Sequence, residues 1–141
     1  MAEESATPDL VELGHRTLEA LNQGDFDAVM GVWGPDPVWD LSPMGLGVYE
    51  GHAAIRAFFE DWIGAYEEYE IRAEEILDLG SGITFAVGIQ KGRPVGSDGH
   101  VQWRYASITQ WVEGIAVRVT NYGDIDEARA AAERLAQERE P

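Results

Sequence analysis

Residues 100–124 have the sequence HVQWRYASITQWVEGIAVRVTNYGD. Two runs rich in β-branched and aromatic residues flank the short segment VEG, in which Gly114 has strong turn chemistry. The pattern predicts a β-hairpin whose two strands are long enough to cross a curved sheet. Two further β-rich runs, YEIRAEEILDLG (69–80) and GITFAVGIQKG (82–92), precede the hairpin.

Helical patterns stand on both sides of these strands. Apolar spacing predicts a first helix from Pro8 to Asn22, a short second helix that begins near Asp25 and ends at GPDP, and a third helix over residues 52–69. Only PVWDLSP, between the second and third helices, is extended. Helices followed by strands predict an α+β fold, and we expect one domain over residues 1–141 with residues 1–7 and the last few residues frayed. The closing segment, residues 124–140, is also helix-prone, but it has few large apolar residues, so we expect weak docking and a frayed end.

The composition excludes several classes of protein. Ten Lys and Arg residues stand against 26 Asp and Glu, and the net charge of -16 repels nucleic-acid phosphates and anionic lipid surfaces. With no cysteine, the chain cannot form disulfides, thiolate nucleophiles or cysteine metal sites. His15, His52 and His100 are too scattered to form a metal cluster. The acidic N-terminus lacks the features of an export signal and no apolar run reaches membrane-spanning length, so we expect a cytoplasmic protein.

Four stretches of the sequence, taken in order, resemble one known superfamily. They are ALNQGDFDAVMGVW, DPVWDLSPMGLGVYEGHAAIRAFFEDW, RYASITQWVEGIAVRVTNY and GDIDEARAAA, and they cover most of the chain from Leu18 onward. Their order and spacing resemble the SnoaL-like branch of the nuclear transport factor 2-like superfamily. The resemblance implies a cone-shaped α+β barrel, in which a strongly curved, mostly antiparallel sheet wraps around the N-terminal helices and encloses a deep apolar pocket. Relatives include ketosteroid isomerase, limonene epoxide hydrolase and polyketide cyclases, so the fold does not specify the reaction.

Asp40 is the candidate catalytic residue. It stands where an extended segment ends, just ahead of a glycine-rich turn, and its neighbours are mostly apolar. Such neighbours raise the pKa of a carboxyl group and make it a better base near neutral pH. The resemblance places Asp40 where ketosteroid isomerase has its general base. The alternative is a structural carboxylate that caps the turn by accepting backbone N–H bonds from Ser42 or Gly45.

Other positions that matter in the superfamily carry different residues here. Thr17 and Ser107 stand where ketosteroid isomerase has the tyrosine and the protonated aspartic acid of its oxyanion hole. Asn121 stands where limonene epoxide hydrolase has a water-activating aspartate, and residues 87–90 lack the Arg and Asp that complete its triad. Ser107 also stands where many SnoaL-like cyclases have a histidine. The resemblance therefore argues against these three mechanisms.

Strand alternation predicts which side chains face the pocket. With Asn121 facing inward, Val117 and Val119 face the same way, and on the neighbouring strand the inward residues are Trp103, Tyr105, Ser107, Thr109 and Trp111. Trp39 and Phe58 are further candidates from the helical side. For most of the aromatic residues, ordinary core packing is the alternative. The predicted substrate-binding residues are Tyr105, Ser107, Asn121, Trp33, Trp62, Trp103 and Phe59.

Two hypotheses about function follow from these residues. In the first, the protein is an enzyme without metal or organic cofactor that uses Asp40 for proton transfer in isomerase, lyase or cyclase chemistry. In the second, it is not catalytic: it binds a hydrophobic ligand or simply dimerises, and Asp40 caps its turn. We expect a neutral, mostly apolar ligand, because the residues proposed for the pocket include no Lys or Arg and a buried unpaired charge is costly.

The outer face of the sheet is the predicted surface for self-association. It carries Arg104, Ala106, Ile108, Arg118, Thr120 and Tyr122. This surface is mixed apolar and polar, and relatives commonly pair through the same face. We therefore expect a homodimer with a two-fold axis there.

Overall fold

The computed structural model describes residues 9–139, which contain six strands and four α-helices. The strands are β1 (Trp33–Asp40), β2 (Val48–Glu50), β3 (Tyr66–Asp78), β4 (Ile83–Pro94), β5 (Val101–Val112) and β6 (Ile115–Tyr122). The helices are α1 (Leu10–Gln23), α2 (Phe26–Met30), α3 (His52–Gly64) and α4 (Ile125–Glu138), and a 3-10 turn covers Ser42–Met44. Within this part of the chain no helix is both long and apolar enough to cross a membrane. The predicted α+β class is confirmed.

The six strands form one curved sheet in the order β2-β1-β6-β5-β4-β3. Every pairing is antiparallel except that of β1 with β6, which is parallel. The predicted curved, mostly antiparallel sheet is therefore confirmed. The sheet is not a closed barrel, because β2 and β3 are its two edges and do not pair with each other.

Helix α1 covers one end of the concave face of the sheet. Asp9 caps its N-terminus by accepting a hydrogen bond from the backbone N–H of Glu12 at 3.1 Å. Near its other end, the Asn22 side chain bonds both the N–H and the C=O of Ile71 on β3, each at 2.8 Å. These two bonds replace strand partners that an edge strand otherwise lacks, so they fix α1 against the sheet.

Helix α4 packs on the opposite, convex face, and the prediction of weak docking is wrong. Ala128, Ala132 and Ala136 are buried against a cluster that includes Phe85 and Ile108. Alanines four residues apart lie on one side of a helix, and their small side chains let the helix approach the sheet closely. The helix is regular to Glu138, whereas the expected fraying of residues 1–7 and of the last two residues lies outside the described part of the chain.

Helix α4 also covers part of the outer sheet face, which is the predicted dimer interface. Ala106 and Ile108 are 0% and 3% exposed because they lie beneath α4. Tyr122 packs against the same cluster. The part of that face formed by these residues is already occupied by the chain itself.

Several element boundaries differ from the sequence-based expectation. Trp33 belongs to β1 rather than to the second helix, because it pairs with Ala116 of β6. Helix α3 ends at Gly64, and Tyr66 opens β3 by pairing with Pro94. Helix α1 begins after Asp9, and the predicted Thr7–Pro8 start lies outside residues 9–139. For Trp33 and for the end of α3, a strand pairing overrides local helical periodicity.

Candidate functional site

A cavity of about 170 Å³ lies between the concave face of the sheet and the helices α1 and α3. Its walls are mainly aromatic and aliphatic. The aromatic side chains are Trp33, Trp39, Phe58, Phe59, Trp62, Tyr69, Trp103, Tyr105 and Trp111. Among the described residues, no Asp, Glu, His, Lys or Arg side chain lines this cavity.

All of the predicted substrate-binding residues lie on this wall. They are Tyr105, Ser107, Asn121, Trp33, Trp62, Trp103 and Phe59. Trp62 and Phe59 come from α3, Trp33 comes from the start of β1, and the others come from β5 and β6. The structure thus brings residues from four separate elements to one cavity.

The alternation along β5 and β6 follows the predicted pattern with one exception. Trp103, Tyr105, Ser107, Thr109 and Trp111 all face the cavity. On β6, Val119 and Asn121 do so as well, but Ala116 takes the place predicted for Val117. The reason is a bulge: Gln110 pairs with Arg118, whereas Trp111 pairs with Ala116, so β6 carries one extra residue.

Asp40 does not line the cavity. Its neighbour Trp39 pairs with Val119, and both of these side chains face the cavity. Asp40 is one residue further along β1 and pairs with Thr120, so its side chain points to the opposite face of the sheet. The expectation that the Asp40 side chain faces the pocket is therefore wrong. The residue of β1 that faces it is the preceding one, Trp39.

The carboxylate of Asp40 is held by three hydrogen bonds on that outer face. The Ser42 hydroxyl donates to Oδ1 at 2.6 Å, the Ser42 backbone N–H donates to the same atom at 2.9 Å, and Arg118 Nη2 donates to Oδ2 at 2.7 Å. The hydrogen bond from the Ser42 side chain, with those from its backbone and from Arg118, holds the pKa of Asp40 below its usual value. The expected rise in this pKa is wrong, because hydrogen bonds outweigh the apolar neighbours. The bond from the Ser42 N–H matches the alternative of a turn cap.

Two carboxamides in the cavity wall accept hydrogen bonds from aromatic side chains. The indole N–H of Trp39 donates to Asn121 Oδ1 at 3.3 Å. Gln90 Oε1 accepts from the Trp62 indole at 3.2 Å and from the Tyr69 hydroxyl at 2.7 Å. Each carboxamide therefore fixes the aromatic walls next to it.

Some of the other polar groups on the cavity wall form hydrogen bonds within the protein, and others do not. The Trp111 indole N–H donates to Thr84 Oγ1 at 2.9 Å. The hydroxyl groups of Tyr105 and Ser107 have no hydrogen-bond partner among the described residues. Burial raises the pKa of Tyr105 well above its usual value, and burial likewise raises that of Tyr69, so both phenols stay neutral at physiological pH.

Sequence reasoning missed several residues of this wall. Gln90 and Thr84 on β4 were not proposed, although alternation within ITFAVGIQ places residues 84, 86, 88 and 90 on one face. Tyr69 was missed because it falls where the predicted helix and the predicted strand overlap. Residues 9–139 contain no cluster of His, Asp and Glu that could hold a metal ion.

The open curved sheet, the helices on its concave side and the apolar cavity between them define a nuclear transport factor 2-like domain. Residues 15–119 match the family model described as SnoaL-like domain, and the chain belongs to that family. No curated protein matches the chain in sequence.

Solved structures with the same fold support this assignment. An NTF2-like protein of unknown function from Burkholderia pseudomallei is 21% identical, with a TM-score of 0.69 over 86% of this chain and 95% of that one. A protein with a ketosteroid isomerase-like fold from Catenulispora acidiphila is 11% identical, with a TM-score of 0.71 over 86% and 92% of the two chains. An LEH-like epoxide hydrolase from M. tuberculosis is 17% identical, with a TM-score of 0.67 over 88% and 89%. At these identities the likeness shows the fold.

Proposed function

We propose that this SnoaL-like domain binds a small, neutral, mostly apolar molecule in its cavity, and that Asp40 is a structural residue rather than a catalytic base. The observation that carries the proposal is the composition of the wall: among residues 9–139, no carboxylate, imidazole, ammonium or guanidinium group lines it. General acid–base catalysis requires such a group, with a suitable pKa, within hydrogen-bond reach of the substrate. The phenols of Tyr69 and Tyr105 stay protonated and are poor bases, because burial raises their pKa values.

The size of the cavity limits the ligand. A volume of about 170 Å³ is smaller than the roughly 300–1,000 Å³ of sites for drug-sized ligands. It is close to that of an engineered apolar cavity of about 150 Å³ that binds benzene. A molecule of one or two rings fits, and the aromatic walls would provide its apolar contacts.

The electrostatics favour a neutral ligand. A carboxylate or ammonium group inside this cavity would be buried without an oppositely charged partner, which is strongly unfavourable. The net charge of -16 also repels anions during their approach.

The first hypothesis, in which Asp40 is the general base of an isomerase, lyase or cyclase, is less well supported. Some proteins with this fold are named as enzymes, including the M. tuberculosis epoxide hydrolase. For Asp40 to act on a molecule in the cavity, its carboxylate would have to leave Ser42 and Arg118 and reach the other face of the sheet. Its lowered pKa also makes it a weaker base than an ordinary aspartate.

Binding to a cavity-filling variant tests the proposal. Ala86 lines the cavity beside its cross-strand neighbour Ser107, so the larger side chain of Ala86→Phe should fill the space that a ligand needs. With para-diethylbenzene as the probe, calorimetry should show binding to the wild type and to Asp40→Asn, and at least about a tenfold loss for Ala86→Phe. Circular dichroism would show that each variant is folded. If folded wild-type protein does not bind the probe, or if folded Ala86→Phe binds it as tightly as the wild type does, the proposal is refuted.

A further inference from the structure

The two carboxamides of the cavity wall have fixed orientations. An indole N–H can only donate a hydrogen bond, so the amide atom that faces it must be the oxygen. Trp39 therefore fixes Asn121 with Oδ1 towards the indole, and Trp62 fixes Gln90 in the same way. An amide flip would place two donors against each other at both sites.

The NH2 group of each carboxamide is therefore the part that remains available to bind a ligand. Neither Asn121 Nδ2 nor Gln90 Nε2 has a partner among the described residues, and both residues line the cavity. Every fully buried side-chain nitrogen or oxygen in this part of the chain has a partner, so these two unpartnered groups must border open space. Gln90 Oε1 already accepts two hydrogen bonds, which uses both of its lone pairs.

The Cα atoms of Gln90 and Asn121 are well separated on the sheet. Gln90 pairs with Trp103 on one side of β5, and Asn121 pairs with Ser107 on the other side. Four residues along β5 span about 13 Å and two strand spacings add about 10 Å across it, which separates the two Cα atoms by roughly 16 Å. Subtracting two hydrogen bonds of about 3 Å each from this distance leaves about 10 Å between the two acceptor atoms of one ligand. The concave curvature of the sheet shortens this distance further.

We propose that the ligand is an elongated neutral molecule with a hydrogen-bond acceptor at each end, such as a ketone, ester or ether oxygen, and that Asn121 and Gln90 bind these acceptors through their NH2 groups. This inference rests on the proposed function, since it specifies the ligand of the same cavity. The aromatic side chains between the two amides contact the apolar middle of the ligand. A molecule whose ends only donate hydrogen bonds finds no free carbonyl oxygen at Gln90.

A matched series of neutral probes tests the preference. The series is para-diacetylbenzene with two acceptors, para-ethylacetophenone with one and para-diethylbenzene with none, and all three have a similar shape. Calorimetry on the wild type should show that each added acceptor strengthens binding roughly two- to tenfold, as expected for a single hydrogen bond.

Two variants remove the NH2 groups while keeping the contacts to the indoles. Asn121→Asp and Gln90→Glu each retain an oxygen facing the tryptophan and replace the NH2 with a second oxygen. Binding is measured at about pH 8, well above the ordinary pKa of about 4 for a carboxyl group. In each variant the affinity ratio of para-diacetylbenzene to para-diethylbenzene should fall at least about twofold. The diol para-bis(hydroxymethyl)benzene, whose hydroxyl groups can donate as well as accept, should gain relative to para-diacetylbenzene. Using ratios within one variant removes any general effect of the new charge. A titration of binding against pH would show that the carboxyl group is ionised.

The outcomes separate this inference from the proposed function. If all three probes bind the wild type equally, the acceptor preference is refuted but the cavity still binds neutral molecules. If the ratios are unchanged in both ionised variants, the two amides do not provide the preference and the inference is also refuted. If none of the probes binds, the proposed function itself fails.

Discussion

Replacing Asp40 with asparagine distinguishes a structural carboxylate from a catalytic one by the sign of a stability change. Asparagine has nearly the same shape, and its oxygen can still accept from the backbone N–H and hydroxyl of Ser42. The group that replaces Oδ2 is an NH2, which would face the guanidinium of Arg118 where a charge-assisted bond of 2.7 Å now exists. We expect Asp40→Asn to destabilise the protein.

The size of the effect follows from the three hydrogen bonds to this carboxylate. Hydrogen bonds to charged groups contribute about 1.5–3 kcal/mol each when they are buried. The Asp40 side chain is 15% exposed, but that of Arg118 is 40% exposed, so solvent screens much of this ion pair. A loss of about 1–2 kcal/mol in the free energy of unfolding at neutral pH is the expected result.

The pH dependence has a definite sign. The folded state holds the pKa of Asp40 below its unfolded value of about 3.9. This group therefore contributes stability at pH values above the unfolded pKa, and the contribution is lost as the pH falls through the folded pKa. The difference between wild type and Asp40→Asn should shrink below about pH 4.

Urea unfolding followed by tryptophan fluorescence would measure both effects. Asp36→Asn is a matched control, because Asp36 is an exposed aspartate on the same strand and its replacement should change stability by less than about 0.5 kcal/mol. Removal of a catalytic carboxylate commonly stabilises a protein, since active sites trade stability for function. An Asp40→Asn variant that is as stable as the wild type, or more stable, would refute the structural role and favour the general base.

Three further substitutions test the cavity and its support. An alanine Cβ at Gly88 would lie 2.6 Å from the Tyr105 ring, so Gly88→Ala should push the ring into the cavity. Calorimetry should show at least about a tenfold loss of affinity for para-diethylbenzene, and an unchanged affinity would contradict this reasoning. Ala132→Leu should cost about 1–3 kcal/mol in urea unfolding, whereas exposed Ala130→Leu should cost little, and equal effects would argue against tight docking of α4. Asn22→Ala should lower the free energy of unfolding by about 1–3 kcal/mol and accelerate hydrogen exchange at the edge of β3. Unaltered exchange would show that the two hydrogen bonds from Asn22 to Ile71 are not needed to hold β3 against α1.

The fold class and much of the cavity wall could be predicted from local patterns. The hairpin around Gly114 carries alternating side chains, and this period of two correctly placed Trp103, Tyr105 and Ser107 on the concave face. Alternation is a property of the extended backbone itself, so it can be predicted without knowing which strands lie next to β5. The glycine at 114 was also informative, since Glu113 and Gly114 both adopt positive φ in the turn that joins β5 to β6.

The position of Asp40 could not be predicted in the same way. Which face of β1 meets the cavity depends on the parallel pairing of β1 with β6, in which Trp39 lies opposite Val119. A change of one residue in that register exchanges the two faces of the strand, and nothing in the sequence around Asp40 fixes it. The bulge that puts Ala116 rather than Val117 on the wall is a register effect of the same kind.

The α+β class, the strongly negative charge, the strand that lines the cavity and the aromatic character of the cavity walls can all be read from the sequence alone, because composition and periodicity are local. Only the tertiary structure decided that Asp40 lies on the outer face with Ser42 and Arg118, and that α4 docks through small residues. Tertiary contacts also place Asn121 and Gln90 on the cavity wall, with NH2 groups that have no partner within residues 9–139. Each of these outcomes depends on which distant residues meet, and such partners are set by strand register and packing across the whole chain.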